Sequence, residues 1–253
     1  MAAIVLVHGA WGGSYGFRKL RPLLQRAGHQ VFTPSLTGIG ERSHLSHPGV
    51  GLDTHVTDVV NTIRYEDLDD IVLLGFSYGG MVVTGALDRI GDRVRHLVFL
   101  DALVPADGDS VRSLTGLGGP GSGNATAGDV DPGHSWLLAP LPRRLDDPEE
   151  TAWSEARRSL QPIATFTQPV ALSRPLDDWP FSRTYIKATA DPDEAPDSAF
   201  WKAAERAKAS ERWAYRELPT HHLVPFSLPD RLAHMLLGIA AGDEPAGIDG
   251  RPT

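Results

Sequence analysis

The chain has 253 residues, long enough to bury the core of one large α/β domain, and 41% hydrophobic with 22% charged residues is a globular balance that excludes disorder and fibrous repeats. A net charge of -8 and a pI near 5.6 argue against nucleic acid as a partner, because phosphate binding needs clustered Lys and Arg. The lack of cysteine excludes disulfides, thiolate nucleophiles and cysteine-ligated metal centres.

In chain order, MAAIVLVHGAWGG opens with an apolar run that ends at Val7, without a basic segment ahead of it. That run is too short for a signal peptide or a membrane span, and no later stretch reaches spanning length, so a cytoplasmic protein without a membrane partner is expected. IVLV reads as a buried strand entering a glycine-rich loop. Leu20, Leu23, Leu24 and Ala27 recur at helical spacing, with Gly28 as the stop. QVFTPSL reads as a second strand. After the loop TGIGERSHLSHPGVGL, Asp53 is placed as the N-cap of a helix whose apolar face is Val56, Val59, Val60 and Ile63. DIVLLGF is a third strand running into SYGGMVVTGALDRI, and HLVFLDAL is a fourth.

Apolar strands alternating with amphipathic helices imply a mostly parallel sheet covered on both faces. The pattern breaks after Pro105: a glycine-rich stretch leads into a segment rich in Trp, Phe and Pro, with one helical piece around PEETAWSEARRSL. Such an interruption suggests a lid over a site. The expected division is a core of residues 1–109 and 181–242, a cap of residues 110–180 inserted after the fourth strand, and a flexible tail of residues 243–253. The sheet resumes with RTYIKATA and RWAYREL, and LPDRLAHMLLGIA closes the domain as a helix.

The sequence GFSYG, Gly75 to Gly79, matches G-x-S-x-G between a strand and a helix. Small flanking residues there permit a sharp turn that lifts the Ser77 hydroxyl above the sheet edge, at a helix N-terminus that favours developing negative charge. The plain alternative is an N-capping serine in a turn. A nucleophilic serine needs a base and an orienting acid. The pair in PTHHLVPF, after the last strand, supplies the base, with His222 preferred over His221 as nearer the following helix. Asp191, directly after the strand TYIKATA, is preferred as the acid; Asp193, Glu194 and Asp101 compete for the role. Two main-chain donors for an oxyanion are expected at Tyr78 and at Ala10 of HGAW. Trp11, beside that loop, is expected to touch ligand. Trp136, Trp153, Phe166, Trp179 and Phe181 are candidates for an apolar pocket, or simply for the core of the cap. His44, His47 and His55 fit no metal-ligand spacing, so no metal is expected, and Arg42 or His44 could stand at the pocket mouth.

LVHGAWGG, GFSYGG and THH in that order resemble the α/β-hydrolase superfamily, and within it the branch of small bacterial esterases, plant methyl-ester hydrolases of the salicylate-binding type and hydroxynitrile lyases. RPLLQRAGHQVFTPSLTGIGERSHL and LQPIATFTQPV extend the likeness over nearly the whole chain. The resemblance implies an α/β-hydrolase fold, a triad of Ser77, Asp191 and His222, an oxyanion hole at Ala10 and Tyr78, no cofactor, and a small-molecule ester as substrate. Two departures stand out. Phe76 replaces the histidine most often found before the nucleophile of the esterases. Gly9 and Leu223 replace the lyases' threonine and lysine, which favours hydrolysis over cyanohydrin cleavage; a triad-bearing lyase or tailoring enzyme that cyclises or cleaves a carbon-carbon bond is the alternative, and a receptor without turnover is disfavoured by the complete triad. The oligomeric state is open, a homodimer included.

Overall fold

The computed structural model describes residues 1–118 and 134–243. In chain order its elements are β1 (Ala3–Val7), α1 (Leu20–Arg26), β2 (Gln30–Phe32), α2 (Leu52–Tyr65), β3 (Ile71–Phe76), α3 (Gly79–Ile90), β4 (Val94–Leu100), α4 (Val111–Thr115), β5 (Leu137–Leu138), α5 (Pro148–Glu155), β6 (Gln161–Pro162), α6 (Ala164–Thr167), β7 (Ser182–Ala188), α7 (Ala199–Ala209), β8 (Ala214–Leu218), α8 (Val224–Ser227) and α9 (Pro229–Ala241). Six of the strands form one parallel sheet in the order β2-β1-β3-β4-β7-β8. The order reverses direction around β1 and β3, and in such sheets a crevice for ligands opens at the carboxyl ends of those strands.

Alternation along each strand divides the core. Val5, Val7, Leu73 and Phe99 face α2 and α3, while Ile4, Leu6, Val72, Leu74 and Val98 face α1 and α9. The strands read as continuous apolar runs because both faces are covered, and each such side chain contributes about 1.5–3 kcal/mol by its burial.

Between β4 and β7 the described cap residues pack over the carboxyl end of the sheet. β5 and β6 form a two-residue antiparallel ladder. The cap is tied to the loop after β1: Trp11 N donates to Gln161 Oε1 at 2.6 Å, Trp11 Nε1 donates to Leu138 O at 3.3 Å, and Ser159 N donates to Trp11 O at 3.1 Å. The glycine-rich part of the expected cap, residues 119–133, and the expected tail beyond Asp243 lie outside the described residues. Asp53 is not the cap of α2. The helix begins at Leu52, two residues earlier than that cap implies, with Gly51 at its N-cap, whose amide donates to Thr54 Oγ1 at 3.3 Å, and Asp53 in the first turn pairs with Arg89 instead. No helix among the described residues is long and apolar enough to cross a membrane.

Candidate active site

β3 delivers the chain into a tight elbow. Ser77 holds φ +56°, the left-handed region that costs a non-glycine residue about 1–3 kcal/mol unless its surroundings fix it. They do so here: Ser77 N donates to Leu100 O at 3.1 Å, and Ser77 O accepts from Gly80 N at 3.1 Å and Leu103 N at 3.2 Å. Glycine is required on both sides of the turn. A Cβ at Gly75 would lie 2.7 Å from the Gly79 carbonyl oxygen, and one at Gly79 would lie 2.5 Å from the carbonyl oxygen of Val7. The start of α3 is thereby pressed against the end of β1.

The loop between β8 and α8 brings His222 to this elbow. Ser77 Oγ lies 2.9 Å from His222 Nε2, and His222 Nδ1 lies 2.6 Å from Asp101 Oδ2. Since a buried carboxylate accepts, Nδ1 carries the proton and Nε2 is free to accept from the serine. Phe76 and Phe200 flank the imidazole, each with ring centroids 5.0 Å away, so the residue before the serine wedges the ring in place. His221 turns elsewhere, with its Nδ1 accepting from Leu223 N at 3.1 Å and its Nε2 3.9 Å from Asp146.

The carboxylate on the imidazole belongs to Asp101, not to Asp191, which corrects the sequence expectation. β4 pairs with β7 through Leu100 and Ile186, so Asp101, one step beyond β4, stands at the sheet edge, with its amide donating to Ile186 O at 2.7 Å. There it is fully buried and also sits at positive φ, +41°. Asp191 lies in the loop three residues past the end of β7. Its Oδ2 accepts from the His222 main-chain amide at 3.1 Å and pairs with Arg143 at 3.3 Å, so it braces the histidine loop without touching the ring nitrogen. Of the other candidates, Asp193 is exposed, with its amide donating to Asp191 Oδ1 at 3.0 Å, and Glu194 binds Lys187. Burial alone would raise the Asp101 carboxyl, but the hydrogen bonds and charges of His222 and Lys187 outweigh it and hold the group below the usual carboxylate range.

The loop after β1 forms the opposite wall. Gly9 approaches so closely that a Cβ there would lie 3.0 Å from Ser77 Cβ. His8 shapes the loop as a neutral ring: Nδ1 donates to Gly9 O at 2.9 Å, Nε2 accepts from Leu36 N at 3.1 Å, and burial lowers its pKa. Among the described residues the amides of Ala10 and Tyr78 donate to no carbonyl or side chain. The Tyr78 side chain is pinned below, its hydroxyl donating to His55 Nδ1 at 2.8 Å while His55 Nε2 donates to Thr37 O at 2.8 Å. Burial depresses His55 to about 3, so it remains neutral.

Above Ser77 is a cavity of about 560 Å³, lined by Trp11, Phe17, Leu103, Leu141, Phe166 and Phe226 among others. Of the cap aromatics considered from sequence, only Phe166 reaches it. Trp153 lies between the guanidinium groups of Arg18 and Arg157, 3.8 and 4.0 Å from its ring centre, and Trp179 stacks on Phe181 away from the cavity. Trp136 is not among its lining residues, nor are Arg42 and His44; Arg42 pairs with Asp58 at 3.2 Å. Leu223 lines the cavity beside His222. The sequence reading missed Tyr15, whose hydroxyl is buried among the lining residues without a hydrogen-bond partner among the described residues, and which burial pushes up to about 12. Among the described residues no group of three or more His, Cys, Asp or Glu could hold a metal ion.

The sequence profile described as the alpha/beta hydrolase family matches residues 4–235. A carbendazim hydrolyzing esterase of Nocardioides sp. (strain SG-4G) is 38% identical over 94% of this chain and 100% of its own length. A pyrethroid hydrolase of Sphingobium wenxiniae is 28% identical over 98% of this chain and 95% of its own length. Among solved structures, an extracellular alpha/beta-hydrolase from a Paenibacillus species superposes with a TM-score of 0.77 at 21% identity, covering 95% of this chain and 99% of that one, which speaks for the fold.

Proposed function

The chain belongs to the alpha/beta hydrolase family, and on that premise we propose that it is a carboxylic ester hydrolase acting on small, largely apolar esters through an acyl-enzyme. The observation that carries this reading is the relay of 2.9 Å from Ser77 Oγ to His222 Nε2 and 2.6 Å from His222 Nδ1 to Asp101. Ser77 is the nucleophile, His222 the general base, and Asp101 the acid that fixes the imidazole tautomer. Ser77 Oγ bonds to the carbonyl carbon as its proton passes to Nε2. The carbonyl oxygen takes the negative charge and accepts from the amides of Ala10 and Tyr78, an interaction worth about 2.7–4 kcal/mol per donor. Collapse breaks the ester C–O bond, and the proton on Nε2 goes to the leaving alcohol. Water then repeats the sequence, freeing the acid and Ser77.

The apolar walls select substrate by area buried, with Trp11 and Phe166 as one wall. The unpartnered Tyr15 hydroxyl, protonated throughout the working range, is a donor to an oxygen or nitrogen acceptor on the substrate. Carbendazim and pyrethroids, the compounds in the names of the two relatives, therefore belong in a test panel with nitrophenyl and methyl esters. Turnover of panel members by the wild type and its loss in Ser77→Ala support the reading. No turnover of any ester, or undiminished turnover in Ser77→Ala, refutes it.

A further inference from the structure

Lys187 is the one lysine in the buried set of the described residues, on the interior strand β7 and entirely shielded from water. Lysine is almost never fully buried unless paired. Its ammonium has three protons and finds three acceptors: Asp101 Oδ1 at 2.7 Å, Glu194 Oε2 at 2.7 Å and Ala188 O at 2.6 Å. Two of these are carboxylates, and the Trp201 ring centre lies 4.4 Å away, so the site is built for the charged form. Asp101 thus uses both edges: Oδ2 serves His222, while Oδ1 accepts from Lys187 and from Ala188 N at 3.3 Å.

We propose that Lys187 and Glu194 are a positioning pair for Asp101, the lysine locking its carboxylate plane and the glutamate keeping the buried cluster at one net negative charge. This inference rests on the hydrolase reading above. With Lys187 alone, the charge of Asp101 would be cancelled, and an imidazolium at His222 would face a neutral cluster. Glu194 restores one negative charge, so the cluster and the imidazolium formed during attack sum to zero inside a poorly solvated site. The other groups facing the cluster do not change this count. Tyr185 on β7, whose hydroxyl donates to Ala102 O or Phe200 O, and Tyr215 on β8 are both raised by burial and stay neutral. Asp191 and Arg143, across the His222 main chain, carry opposite charges. Ser198 donates its hydroxyl to Glu194 Oε1 and adds no charge.

The test compares full-length wild type, Glu194→Gln, Lys187→Met and the double variant in kcat/KM against pH with nitrophenyl acetate. The acid limb, where protonation of the base ends activity, falls to lower pH in Glu194→Gln, because removing a negative charge disfavours the imidazolium. It rises in Lys187→Met, because removing a positive charge favours it. Each displacement is about one pH unit for charges at this range, and the double variant returns to the wild-type limb. A lysine serving only to hold the fold would lower activity or melting temperature without moving the two limbs in opposite directions. Coincident limbs, or two that move the same way, overturn the proposal. Glu194→Gln keeps the size of the side chain, with its amide oxygen toward Lys187 and its NH2 donating to Ser198 Oγ in reversal of the native bond, and decides the matter if Lys187→Met does not fold. The downfield proton resonance of the Asp101–His222 hydrogen bond, titrated in the resting enzyme, reads the same displacements without turnover. A wild type inactive on every ester whose resonance still moves as stated would refute the hydrolase reading and leave the positioning pair standing.

Discussion

Replacing Asp101 by Asn separates the two candidate acids. Lys187 Nζ and Ala188 N are donors, and both point at Oδ1 of residue 101, so the amide oxygen of an asparagine must take that side. Its NH2 group then faces His222 Nδ1, which has to accept rather than donate. The ring proton moves to Nε2, the nitrogen 2.9 Å from Ser77 Oγ, where it blocks proton uptake. A wrong tautomer of this kind costs about 10⁴-fold in kcat in a serine triad, or roughly 5.5 kcal/mol of transition-state stabilisation. Asp191→Asn keeps its one carbonyl oxygen for the His222 amide and loses the charge opposite Arg143 and the acceptor for the exposed Asp193 amide, so its cost is less than about tenfold, or roughly 1.4 kcal/mol. Steady-state kcat on nitrophenyl acetate at pH 8, with circular dichroism to confirm folding, measures both. An Asp191→Asn defect as large as that of Asp101→Asn would refute the reasoning.

Acid should destabilise the fold early. His8, His55 and His96 are buried and lowered by desolvation, His55 to about 3 and His96 to about 4. They remain neutral in the fold while the unfolded chain protonates them below about 6.5, so stability falls as pH drops from 6.5 toward 4, at a slope approaching about 4 kcal/mol per pH unit when all three contribute. Urea midpoints that stay flat from pH 7 to 5 would contradict this. Tyr15→Phe should leave kcat/KM for a plain apolar ester within about twofold and lower it about tenfold for an ester with an acceptor beyond the scissile group, the worth of one buried hydrogen bond. Equal effects on both substrates would remove Tyr15 from the binding account.

The elbow was legible because its signal is local: Gly75 and Gly79 flank Ser77 for steric reasons that act within five residues. Of the two histidines the short turn into α8 aims only His222 at Ser77, and His221 faces Asp146. The carboxylate beside the imidazole was not legible in the same way. Whether residue 101 or residue 191 meets the imidazole depends on the pairing of β4 with β7, residues far apart in the chain, and on Lys187 compensating a buried charge. For that reason the sequence leaves Asp101 as one competitor among several. β1, β3 and β4 declared themselves as unbroken apolar runs, whereas α7, with its small and charged residues, shows its buried Ala203, Ala204 and Ala207 only against the sheet. In the cap, β5 and β6 are two residues each and carry no periodicity to read. Its aromatics divided between the cavity (Phe166), the buried core (Phe181) and half-buried positions (Trp136, Trp153, Trp179), which composition does not encode.

Intact mass after reaction with a fluorophosphonate tests the central claim most directly. The account predicts one adduct on the wild type, mapped to Ser77, and none on Ser77→Ala. An unlabelled wild type, or equal labelling of both proteins, would contradict it.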